Sequence, residues 1–117
     1  MIRAALVAFI LAVPAVAQQA EPAGGAVLRA LDKFSGEVVD ITMQTGRVAQ
    51  FGRLAIALRE CRYPAGNPSG NAFASLQIAE EGRADAVFSG WMVASSPALN
   101  AMEHPRYDVW VMRCTTS

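Results

Sequence analysis

The chain has 117 residues, with ten basic residues balanced by ten acidic ones and a single histidine. That length allows one small domain. The zero net charge argues against a nucleic-acid binder, which needs a basic face to neutralise phosphates. A metal site wants three or four protein ligands, and here only His104 could join the two cysteines, with no H-x-x-H or C-x-x-C spacing to support it. Residues 1–17 (MIRAALVAFILAVPAVA) read as a leader: Arg3 gives a positive start, residues 4–13 are unbroken apolar, and Ala15-Val16-Ala17 is an A-x-A cleavage signature. The apolar run is short of the roughly 20 residues needed to span a bilayer. A cleaved signal peptide, export to the periplasm and no membrane span after cleavage are the expectation. Loss of Arg3 would leave a mature chain of about −1.

Residues 18–25 (QQAEPAGG) are expected as a flexible lead-in, and residues 26–117 as one domain. Within it the expected strands are 26–33, 37–43, 53–61, 72–80, 86–94 and 107–115. In 37–43, Val39, Ile41 and Met43 share one face, and Asp40 and Thr42 the other. Residues 53–61 alternate cleanly, with Leu54, Ile56 and Leu58 one way and Arg53, Ala55, Ala57 and Arg59 the other. Strict alternation puts Cys61 with the arginines. The sulfur therefore lies outside the main core, or a bulge near Glu60 changes the register. Gly52 marks another bend or bulge, and residues 63–71 (YPAGNPSGN) are a loop. Ser96-Pro97 is expected to start a short helical turn that runs through Met102 and stops before Pro105. About six short strands with one helical turn give an all-β fold, a small β-sandwich or barrel.

Cys61 and Cys114 are the number for one disulfide in an exported protein. A metal pair or a reactive thiol is the competing reading. Trp110 is expected in the core beside that bridge. Trp91 fits either the core or an exposed ledge for a partner. The ledge would comprise Trp91, Met92, Ser95, Ser96, Pro97, His104, Pro105 and Tyr107, because binding surfaces favour Trp, Met and Tyr and irregular segments on a rigid scaffold often carry function.

Several blocks together resemble the DUF2155 family. They are Leu31-Asp32-Lys33 with Gly36, Phe51-Gly52-Arg53-Leu54, Cys61, Ala72-Phe73, Phe88-Ser89-Gly90-Trp91-Met92, Ser95-Ser96-Pro97-Ala98-Leu99, Glu103-His104-Pro105 and Tyr107-Asp108-Val109-Trp110, ending at Cys114. The resemblance implies a short exported protein, chiefly alphaproteobacterial, with paired cysteines and no established activity. It supplies no catalytic residue.

Chemistry-bearing residues are sparse. Ser95, Ser96, Glu103, His104 and Asp108 are the residue types of a hydrolase triad, but no G-x-S-x-G elbow accompanies them. They also serve as helix caps, with His104 closing the last turn. No carboxylate pair stands out for glycoside chemistry among Glu37, Asp40, Glu60 and Glu103. No cofactor or metal is expected. The reading is a periplasmic, non-enzymatic domain that binds an envelope or membrane-complex protein as an accessory or structural factor. The alternatives are a His104-dependent hydrolase and a glycan- or peptidoglycan-binding module working through Trp91.

Overall fold

A computed structural model describes residues 19–116. The leader expected over residues 1–17 lies outside the described residues. Eight strands follow one another: β1 (Ala20–Pro22), β2 (Gly25–Asp32), β3 (Val38–Gln44), β4 (Val48–Phe51), β5 (Leu54–Pro64), β6 (Phe73–Glu80), β7 (Phe88–Val93) and β8 (Tyr107–Thr115). The fold is all-β, as the alternating pattern predicts. One sheet has the order β1-β5-β6-β7 with β4 also on β5; the other is β3-β2-β8. Two sheets face to face make a sandwich, which decides between the two architectures left open above. Every pairing is antiparallel.

The interior forms because alternate residues of both sheets point inward. Leu28 and Ala30 of β2, Ile56 and Leu58 of β5, Leu76 and Ile78 of β6, and Val109 and Val111 of β8 are all buried. Each Leu, Ile or Val so buried contributes about 1.5–3 kcal/mol relative to an exposed one. On β3, Met43 is buried with Val39 and Ile41 packed beside it, while Asp40 faces out and pairs with Arg29 of β2 at 2.7 Å.

Cys61 and Cys114 form a disulfide with a Cα–Cα distance of 5.7 Å. Neither sulfur would reach the interior by strict alternation. In β5 the register shifts between Leu58 and Glu60, leaving Arg59 without a partner, and Cys61 turns inward. In β8, Val111 sits opposite Leu28 and Arg113 opposite Val27, so Met112 is the extra residue and Cys114 turns inward as well. A bulge re-aims the side chains that follow it, and here each strand uses one to deliver its half of the bridge.

Four details differ from the sequence reading. Ala20–Pro22, expected in a flexible lead-in, pairs with Arg62, Tyr63 and Pro64 along the edge of β5. Val48–Phe51 is a further strand, joined to β5 by the two-residue turn Gly52-Arg53. Gly52 has φ +57° there, the position that a type II′ hairpin reserves for glycine. Residues 96–102 form successive turns and no helix: the Ser96 amide donates to the Val93 carbonyl at 3.1 Å and the Leu99 amide to the Ser96 carbonyl at 3.0 Å. Trp110, expected in the core, is half-buried on the outer face of its sheet beside Arg29. Tyr107, Val109 and Val111 take the inward positions of β8 and leave Trp110 the outward one.

Candidate functional site

The segment between β7 and β8 is long for a geometric reason. The antiparallel β5–β6 and β6–β7 ladders make β7 run as β5 does. β8 also runs as β5 does, because Tyr107 meets Arg53 at one end and Cys114 meets Cys61 at the other. Strands running the same way cannot be joined by a tight hairpin and need a crossover of about a dozen residues. Residues 94–106 are that crossover.

Side chains fasten it along its length. The Ser95 amide donates to Asn71 Oδ1 at 3.0 Å, and the Asn100 side-chain amide donates to the Trp91 carbonyl at 2.9 Å. Met102 is buried and plugs the core from the loop. The last anchor is His104, whose side chain is only 6 % exposed. Its Nδ1 accepts from the backbone amides of Arg106 at 3.0 Å and Tyr107 at 3.1 Å, so Nδ1 carries no proton. Its Nε2 therefore bears the hydrogen and donates to Glu80 Oε2 at 2.7 Å. Lys33 Nζ donates to the His104 carbonyl at 2.7 Å.

Tyr107 next in line has a fully buried ring, stacked edge-on against Phe51, and its hydroxyl accepts from the Arg53 amide at 3.1 Å. Arg106 forms a bidentate pair with Asp32, with Nη2 2.9 Å from Oδ2, and lies over the Phe34 and Tyr107 rings. The Arg106 guanidinium hydrogen bonds, joined by those of the Phe34 and Ser35 amides, hold the Asp32 carboxyl down to about 2 against the opposing cost of burial.

This geometry divides the expected surface. Trp91, Ser95, Ser96, Pro97 and Pro105 are exposed, Trp91 at 41 %. Met92, Tyr107 and the His104 ring are interior and leave the ledge: Met92 shares the inward parity of Phe88 on β7, and the other two are occupied by the hydrogen bonds above. Leu99, not among the expected ledge residues, is 75 % exposed and next to the Asn100 anchor. Glu80 was also missed, since nothing in the sequence links it to a histidine 24 positions away. The hydrolase constellation is not assembled, because both ring nitrogens of His104 are committed elsewhere and neither Ser95 nor Ser96 bonds to it. Among the described residues no three or more His, Cys, Asp or Glu side chains are grouped to hold a metal ion, and no helix is long and apolar enough to cross a membrane.

Residues 26–114 match the family described as an uncharacterized protein conserved in bacteria, DUF2155. The chain belongs to the DUF2155 family. It is also similar to an uncharacterized protein of Rickettsia prowazekii (strain Madrid E), at 28 % identity over 88 residues, which covers 73 % of this chain and 57 % of the relative. The chain thus spans a little over half the length of that curated relative. No solved structure matches the chain. The family match runs from the second residue of β2 to the second cysteine, so the DUF2155 unit takes in β2 to β8, both bulges and the crossover, and leaves β1 ahead of it.

Proposed function

We propose that this DUF2155 domain is exported and works as a non-enzymatic binding module, an accessory or structural factor that docks onto another protein of the cell envelope. The observation that carries the reading is the crossover surface. Trp91 on β7 and Leu99 on the crossover expose large apolar side chains, and the crossover is pinned by Asn71, Asn100, Met102 and His104. Exposed aromatic and aliphatic groups held on a rigid base lose little entropy on binding and act as anchors at interfaces. The leader-like sequence over residues 1–17 and the disulfide support export.

The test is affinity capture of the tagged mature chain from envelope extracts, beside Trp91→Ala and Leu99→Ser variants. A stoichiometric protein recovered by the wild type and lost by both variants, with thermal melting of the variants unchanged, supports the reading. Retention on isolated peptidoglycan with no protein recovered favours the glycan-binding alternative. Turnover that disappears in His104→Ala while the stability of the variant is unchanged would replace both with an enzyme.

A further inference from the structure

The two strands joined by the crossover each lie at one edge of their sheet: among the described residues β7 pairs only with β6, and β8 only with β2. Between them and the crossover lies a cleft of about 330 Å³. Residues 108–111 form one wall, Met92 and Val93 another, and Pro97, Ala98 and Ala101 reach in from the crossover. Four successive residues of one strand alternate between its two faces, so a cleft that touches all four runs along the strand's edge. What an edge offers is backbone N–H and C=O groups, which specify an extended chain as the occupant. The lining is apolar apart from Asp108, which is half-buried and takes part in none of the ion pairs among the described residues.

The geometry points to strand addition at β8: an extended segment of the partner protein, apolar with one lysine or arginine, pairs along residues 108–111 and sets its cation against Asp108. This deepens the binding reading above and rests on it. Four residues of strand span about 13 Å, a short linear segment of the partner and not a broad face. The crossover forms the outer wall, and Trp91 and Leu99 grip the partner beside it.

The experiment uses the mature chain with acetylated, amidated octapeptides of alternating valine and serine carrying lysine or glutamate at one central position. Amide signals are followed by NMR. Expected are shifts and slowed hydrogen exchange at 108–111, with the lysine probe favoured by about threefold, the size of a part-exposed ion pair. That preference is expected to vanish in Asp108→Asn. Methylating one paired backbone nitrogen of the probe should weaken it by about fivefold or more. Equal binding of the methylated probe, shifts confined to the Trp91 face, or exchange protection of 108–111 by self-association of the free chain each overturn the proposal. Ala98→Trp fills the cleft from its exposed wall and separates the two readings. If that variant still captures the envelope partner and Trp91→Ala does not, strand addition fails while protein binding stands. If the wild type captures nothing, the binding reading fails while the probe titration still decides the cleft.

Discussion

Tyr107 joins three levels of the structure. Its ring fills the core, its hydroxyl caps the β4–β5 turn, and its amide holds His104. Gly52 is the price of that arrangement: a Cβ there would sit 2.5 Å from the Tyr107 hydroxyl, at φ +57°. Gly52→Ala should therefore cost about 2–3 kcal/mol, adding a clash to backbone strain. Gly66→Ala, at φ +76° with nothing within 4 Å, should cost about 1 kcal/mol from strain alone. Urea unfolding of the two variants checks the difference. His104→Ala leaves Glu80 and two backbone amides without their partner, and the same measurement should show a loss of about 2–3 kcal/mol. Asp32 provides a pH signature. Its carboxyl titrates near 3.8 when free and near 2 when held by Arg106. The stabilisation is full above pH 3.8 and is lost as pH falls through about 2. Asp32→Asn should be less stable than the wild type at neutral pH, and the gap should narrow between those two values, as read from urea midpoints across the acid range.

At the scale of elements, the two bulges decide where the sulfurs go. Deleting Arg59 removes the extra residue, so Glu60 follows Leu58 in regular alternation and Cys61 still faces inward opposite Ala74. Alkylation followed by mass measurement should then find no free thiols, as in the wild type; free thiols in the variant would show that the bulge itself is needed to seat the bridge. The clean alternation of residues 53–58 made β5 legible in the sequence, and it also exposed the conflict at Cys61. The matching bulge in β8 was not legible: Tyr107, Val109 and Val111 alternate smoothly, and nothing about Met112 marks an extra residue. β4 is four residues long between two glycines, too short for periodicity to show, and β1 exists because β5 is long enough to offer it an edge. The Ser96-Pro97 start signal was real as local chemistry, but the crossover must travel back along the length of β7, about 20 Å. Seven residues wound as helix would advance only about 10 Å, and Asn100 spends its side chain on the Trp91 carbonyl instead. The exposed half of the candidate surface was readable because Ser, Pro and Trp cluster there. The buried half was misread because a histidine and a tyrosine look alike in sequence whether they bind a partner or brace a loop.

Over the whole molecule, the sheets are tied at both ends. Cys61–Cys114 joins β5 to β8 at one, and the His104–Glu80 and Tyr107–Arg53 bonds join the same layers at the other. The bridge closes a separation of 53 residues, a span for which a disulfide contributes about 3–4 kcal/mol. Replacing both cysteines by alanine should lower the melting temperature by on the order of 15 °C, read by circular dichroism with and without reductant; reductant should shift the wild type and leave the variant unmoved. The order of strands has a consequence for biosynthesis. Among the described strands β2 comes early, yet it lies between β3 and β8, the last of them. Until residue 115 has emerged, the nascent polypeptide carries a hydrophobic strand with one side unclosed and a thiol with no mate, so the second sheet cannot close before β8 is made.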